Sequence, residues 1–218
     1  MKNTLIYLLK MLEGLVFKKR DDQSFIDSIP DEYVFKKCQE QNFNEISTLL
    51  SYKDQKVKSL IWEIKYHRNK KALEIASKII FEAIKDDLYE KEIFEKREYV
   101  LVNIPITKNK LSLKGFCHTE VLCKEILELC AKDDFLNKKI SYDPNILIKI
   151  KDTKPQSHTK SKEERFLNLK DCFEIKNITN KNIILIDDVV TTGTTIKEAV
   201  LTLKKNGMDK ISCYTLAH

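Results

Sequence analysis

The sequence predicts an α/β fold: a mostly parallel, twisted sheet flanked by helices on both faces, preceded by a small N-terminal appendage. Three observations predict it. Short apolar runs at Tyr99–Ile106, Ile146–Ile150, Ile183–Ile186 and Ile211–Leu216 have the continuous hydrophobicity of strands buried on both faces. Between them lie stretches with apolar residues at three- and four-residue spacings, as in amphipathic helices. With only 4 Gly and 4 Pro in 218 residues, the chain lacks the composition of long disordered linkers, so these elements belong to packed structure.

Taken in order, Leu5–Phe17 is apolar but interrupted by Lys10 and Glu13. It is too short and too charged for a membrane span, and no small-residue cleavage site follows. We expect an amphipathic helix that docks on the domain or a partner, in a cytoplasmic protein that does not enter a membrane. Lys18–Gln41 is polar and weakly periodic, with Pro30 in its middle, which suits a boundary or a small irregular module. The division expected is therefore residues 1–45 as appendage and 46–218 as the main domain.

Ile46–Tyr52 alternates as a short strand does. Asp54 can cap a helix carrying Val57, Leu60, Ile61 and Ile64, and Asn69 a second with Ala72, Ile75, Ala76, Ile79 and Ile80 inward. Tyr99–Ile106 is a strand running into Pro105, followed by a loop, Thr107–Lys114, bearing Lys108, Lys110 and Lys114. A helix over Cys117–Ala131 presents Val121, Leu122, Ile126, Leu127 and Leu129. After the strand at Ile146–Ile150, Lys151–Asn168 is long, polar and basic, with Lys160, Lys162 and Arg165. Such a connection between strands is more often functional than packed. The strand at Ile183, a helix with Ile196, Val200 and Leu203 inward, and a strand at Ile211–Leu216 complete the chain.

The net charge of +6 permits a polyanionic partner but does not choose among nucleotide, phosphate and nucleic acid. Direct nucleic-acid contact has only this balance in its favour, without an interleaved aromatic patch. Of the 6 Cys, no two are separated by two residues, so no zinc-knuckle pairing is visible. Small buried thiols in a reducing compartment are the expectation.

The chemistry concentrates at Asp187-Asp188-Val189-Val190-Thr191-Thr192-Gly193-Thr194-Thr195. An acidic pair ends a buried strand, and a hydroxyl-rich turn with one glycine opens a helix. Backbone N–H groups exposed at that helix start, beyond the carboxyl end of a parallel strand, make an anion site. An acidic pair can also merely end a strand and cap a helix, but the flanking pattern favours a ligand. In a parallel sheet the loops Thr107–Lys114, Lys151–Asn168 and Asp187–Thr195 converge at the same end. One supplies hydroxyls, backbone donors and acids, and two supply cations, which suits a phosphorylated sugar.

Ile184–Thr195 resembles the phosphoribosyl-pyrophosphate (PRPP) signature of type I phosphoribosyltransferases. The chain from about Ile46 onward is similar to the ComF/GntX-like, competence-associated branch of that family. Leu49-Leu50-Ser51-Tyr52 with Val57, Leu60-Ile61 and Ile64-Lys65-Tyr66 is similar to the branch's first block. Ile104-Pro105-Ile106 with Lys114-Gly115-Phe116 resembles its proline strand end and basic-Gly-Phe element. Thr153, Gln156, Arg165, Asn168 and Phe173 resemble its mobile-loop segment. Two departures matter. The branch's N-terminal four-cysteine zinc module is represented by Cys38 alone, so no zinc is expected. Its Gly-Phe-Asn-Gln is Gly115-Phe116-Cys117-His118 here, which removes the amide side chains.

The resemblance implies a type I phosphoribosyltransferase-like fold and a glycosyltransferase of the pentosyltransferase type. It implies PRPP as substrate and Mg²⁺ carried with it rather than on a dedicated protein site. The 5′-phosphate is expected in the Thr191–Thr195 turn, and Asp187 and Asp188 on the ribose hydroxyls, directly or through the cation. Pro105, Ile106, Thr107 and Lys108 are expected at the pyrophosphate, with Arg165, Lys160 and Lys162 closing from the basic connection. Asp187, Asp188, Lys108 and Arg165 are the candidate catalytic residues. Lys65 and Tyr66 stand where the branch has a Lys-aromatic pair, and His118 and His158 are candidate proton donors. Thr191 stands where 6-oxopurine enzymes carry an acid, which argues against hypoxanthine or guanine as acceptor. The alternative is a non-catalytic PRPP sensor or adaptor in competence and DNA-uptake machinery, capturing a helicase-type partner through residues 1–17. A homodimer is compatible with either.

Overall fold

The computed structural model describes residues 19–29, 42–43, 45–91, 97–152 and 169–218. The expected helix at Leu5–Phe17, residue Cys38 and the segment 153–168, which contains Arg165, lie outside the described residues.

Five parallel strands form the centre of the molecule. β1 (Asn42–Phe43) runs antiparallel to β2 (Ile46–Leu50). β2, β8 (Ile211–Ala217), β7 (Asn182–Val189), β3 (Tyr99–Asn103) and β4 (Ile140–Tyr142) then follow side by side, all parallel. The helices are α1 (Lys19–Ser28), α2 (Gln55–Trp62) continued by a π turn (Glu63–His67), and α3 (Lys70–Lys91). After β3 come α4 (Lys108–Lys114) and α5 (His118–Lys132), and α6 (Thr194–Lys205) follows β7. A separate antiparallel pair, β5 (Leu147–Lys149) and β6 (Phe173–Ile175), stands beside the main sheet.

The period-two pattern of the strands sorts their side chains into two cores. Ile184, Ile186, Leu101, Tyr214 and Leu216 pack with α2, α3 and α5 residues such as Leu60, Ile64, Ile80 and Ile126. Ile183, Leu185, Val100, Val102 and Cys213 pack with Ile196, Ala199 and Leu203 of α6 and with Leu147 and Phe173 of the small sheet. Burying side chains of this kind contributes roughly 1.5–3 kcal/mol each, so the continuous apolar strands are what require helices on both faces. The α/β architecture expected from the sequence is the one observed.

The caps lie where expected. Asp54 accepts from the Lys56 N–H at 2.9 Å, and Asn69 Oδ1 from the Ala72 N–H at 3.0 Å. Four elements differ from expectation. Thr107–Lys114 is not a loop: Thr107 caps a helix by accepting from the Lys110 N–H, and Gly115, at φ 73°, closes it with its N–H on Leu111 O. Those two caps outweigh the adjacent proline and the lysines. The strand near Ile146 joins β6 rather than the main sheet. Its place at the sheet edge is taken by β4, three residues long and too short to show a pattern. In the polar stretch after Lys18, α1 forms and places Ile26 and Ile29 in the core shared with α2 and α3.

The cysteines among the described residues, Cys117, Cys123, Cys130, Cys172 and Cys213, are all buried with free thiols. Burial pushes the Cys130 and Cys213 thiols up to about 12, which keeps them unreactive.

Candidate functional site

β7 carries the acidic pair at its carboxyl end. It is pinned on both sides: Val190 N–H donates to Ala217 O at 2.9 Å, and Ile104 N–H to Ile186 O at 2.9 Å. Strand alternation continues through the pair. Asp187 follows Ile183 and Leu185 toward the α6 face, and Asp188 follows Ile184 and Ile186 toward the face of α2 and α5. Two adjacent acids therefore enter two different environments.

Asp188 is 4 % exposed. Its Oδ2 lies 2.7 Å from Lys65 Nζ and 3.2 Å from His118 Nε2, while Oδ1 accepts from the Val189 N–H at 2.7 Å. Burial alone would push this carboxyl up. The Lys65 ammonium, with His118 second, outweighs burial and holds it well below the usual carboxylate range. Reciprocally, burial would depress Lys65, but Asp188 holds its ammonium above the ordinary value.

Asp187 is half-buried, its Oδ1 accepting from the Asp188 N–H at 2.9 Å. Burial first, and the Asp188 charge second, push its carboxyl well above the usual range. It lines a small hollow with Val189, Val190, Thr191, Gly193, Thr195 and Ile196. Gly193 stands at the N-cap of α6 at φ 73° and, as a glycine, brings no side chain of its own over the helix start. Glycine meets the positive φ without steric cost. Thr192 Oγ1 and Thr194 Oγ1 lie 2.8 Å apart across the turn. Backbone N–H groups, threonine hydroxyls and the positive end of a 12-residue helix suit a phosphate.

Lys65 is delivered by the π turn. Glu63, fully buried, accepts from Asn69 Nδ2 at 3.2 Å. Arg68 ends the turn in the left-handed region at φ 50°. Its Nη2 donates to Gly115 O at 2.6 Å, and its guanidinium lies 4.1 Å from the Phe116 ring centroid. The Trp62 and Tyr66 rings pack at a tilt, their centroids 4.3 Å apart, and Lys114 Nζ lies 5.1 Å from the Tyr66 ring centroid. The π turn and the α4–α5 junction are thus clasped together beside Asp188.

Pro105–Lys108 leave β3 next to the acidic pair, since Asn103 is in register with Ile186. Asn103 is itself fixed: Tyr142 donates to its Oδ1 at 2.9 Å. Pro105, Ile106, Thr107 and Lys108 line a cleft of about 750 Å³ that continues along Leu147–Ile150 and Asp152. Asp152 accepts from Thr107 Oγ1 and, at 2.8 Å, from Asn109 Nδ2, so the start of the basic connection is tied to α4. Where that connection returns, Asp171 N–H donates to the buried Glu198 of α6 at 2.7 Å.

The structure thus brings the Asp187–Thr195 turn and the Pro105–Lys108 loop to the same end of neighbouring strands, though they line separate cavities. Arg165 lies outside the described residues. Lys65 and His118, marginal candidates by sequence, are the partners of Asp188. Asn103 and Asp152 had no sequence signal beyond their positions near β3 and the basic connection. Among the described residues no group of three or more His, Cys, Asp or Glu could hold a metal by itself, so a Mg²⁺ ion here would need ligand oxygens beside the Asp187 carboxyl. Asp188, by contrast, is already paired with Lys65.

Residues 143–218 match the family described as phosphoribosyl transferase domain. The chain is 25 % identical over 117 residues to DNA utilization protein YhgH of Salmonella typhi, covering 53 % of this chain and 48 % of the relative. It is 24 % identical over the same length to the protein of that name from Shigella flexneri, with the same coverage. The chain spans about half the length of the curated relatives it matches. Among the described residues no helix is long and apolar enough to cross a membrane. The α/β fold is consistent with that of type I phosphoribosyltransferases, and the matched segment contains both the acidic pair and the turn that follows it.

Proposed function

We propose that the chain binds PRPP with Mg²⁺ and transfers its phosphoribosyl group to an acceptor, releasing pyrophosphate. The observation that carries this reading is the glycine-started helix α6 directly after the acidic end of β7, inside the segment similar to phosphoribosyl transferase domains. The 5′-phosphate takes the Thr191–Thr195 turn, and the acidic pair lies on the ribose side. Pro105–Lys108 offers backbone and lysine donors to the diphosphate. In the transfer, the bond from the anomeric carbon to the diphosphate oxygen breaks, its electron pair leaving with pyrophosphate. The acceptor's lone pair forms the new bond and its proton is lost. Mg²⁺, when bound, neutralises the departing diphosphate; the protein's part is to fix the sugar and exclude water.

A second reading has its own observation: the curated relatives are named for DNA utilization. On it, the chain binds PRPP without turnover and serves as a sensor or adaptor in DNA-uptake machinery. Pyrophosphate release from Mg-PRPP across a panel of nitrogenous acceptors separates the two. Acceptor-dependent release supports the transferase. PRPP binding with no release for any acceptor contradicts it and favours the sensor.

A further inference from the structure

We propose that the two acids of the pair divide the work, and that Lys65 completes the PRPP site: Asp187 meets the ribose, while Asp188 is a positioning residue that holds Lys65 and His118. This rests on the PRPP reading and deepens it.

Three independent observations carry it. The first is direction. The strand period sends the Asp187 side chain with Ile183 and Leu185 and the Asp188 side chain with Ile184 and Ile186, to opposite faces. The hollow at the phosphate turn accordingly includes Asp187 and not Asp188. The second is commitment. Asp188 is 4 % exposed, and each of its oxygens already has partners: the Val189 N–H on Oδ1, Lys65 Nζ and His118 Nε2 on Oδ2. Turning this carboxylate to a ribose would strip the half-buried Lys65 ammonium of its counter-ion and leave the buried carboxylate's pairing broken, a costly exchange. The third is the path of the chain at Lys65. The helix widens into a π turn only over Glu63–His67, and the buried Glu63, Asn69 and the left-handed Arg68 hold it. Single π turns are uncommon and recur at functional sites. Here the turn carries Lys65 Nζ to 2.7 Å from Asp188 at the acidic end of β7, with its side chain still 27 % exposed. Lys65 is thus a fixed cation at the edge of the ribose site, and His118, whose Nδ1 is buried with no hydrogen-bond partner among the described residues, braces Asp188 from the start of α5.

The test is a double-mutant cycle read by calorimetric titration of Mg-PRPP into the full chain, with thermal unfolding of each variant recorded alongside. Lys65→Met is expected to weaken binding roughly tenfold or more, the loss of one charge-assisted contact. Asp188→Asn is expected to weaken it less, and Lys65→Met/Asp188→Asn no more than Lys65→Met alone, because Asp188 acts through Lys65. Asp187→Asn/Lys65→Met is expected to show the product of its two single losses. Should Lys65→Met fail to fold, its buried carboxylate being stranded, the loss from the unsubstituted chain to the charge-free double variant reads the same contact, again about tenfold. Multiplicative losses for residues 65 and 188 would overturn the division, since Asp188 would then meet the ligand by itself. Unchanged affinity in the folded double variant would also overturn it, leaving the pair a structural one. Absence of Mg-PRPP binding by the unsubstituted chain would instead overturn the phosphoribosyl reading on which the division stands.

Discussion

Asp187 and Asp188 follow one another on β7, yet burial and partners move their carboxyls in opposite directions. Asp188 gains from its ionised form because Lys65 and His118 compensate it. Asp187 loses by ionising, since burial and the charge of Asp188 both oppose it. A carboxyl whose folded pKa lies above its unfolded value withdraws stability as pH rises above that unfolded value. Near neutral pH the ligand-free protein therefore carries a cost at Asp187, of the kind that functional sites retain. Asp187→Asn keeps an oxygen for the Asp188 N–H and removes the charge. We expect this variant, without ligand, to melt at the wild-type temperature or above it in a thermal scan. A melting temperature several degrees lower would mean that the ionised Asp187 stabilises the fold.

Between elements, polar groups link helices that the apolar cores alone do not orient. Asp133, at the end of α5, accepts from Lys85 Nζ of α3 at 2.8 Å, from Tyr89 Oη at 3.2 Å, and from the N–H groups of Phe135 and Leu136 at 3.0 Å each. Lys85 foremost, with those N–H groups, holds its carboxyl down at about 2, against 3.8 ordinarily. The sign follows: this contribution is complete above 3.8 and is lost as pH falls through about 2. Asp133→Asn is expected to cost about 1 kcal/mol at neutral pH, with the gap to wild type closing across that acid window in denaturant titrations. A gap that persists unchanged at the lowest pH would contradict the assignment. Elements were also where the sequence was least legible. The caps of α2 and α3 could be read because Asp54 and Asn69 act on their own next turn. The helix at Lys108–Lys114 could not, although Thr107 caps it just as locally, because it buries no side chain and so carries no apolar period. β4, three residues long, carries no period at all.

At the scale of the molecule, two apolar cores on either side of one parallel sheet fix where the chemistry lies. The continuous runs at Tyr99 and Ile183 made the parallel sheet legible, and the acids and glycine after β7 marked its functional end. What sequence alone could not supply was the far side of Asp188. Lys65 and His118 reach it from two helical segments that only the folded sheet brings together. The central claim is that this carboxyl end binds PRPP through Asp187 and the turn before α6. The most direct measurement is calorimetric titration of Mg-PRPP into the chain and into Asp187→Asn. Saturable binding by the wild-type chain, weakened roughly tenfold or more by Asp187→Asn, is the result predicted. Binding of equal strength by both would move the site away from β7, and no binding by either would contradict the account.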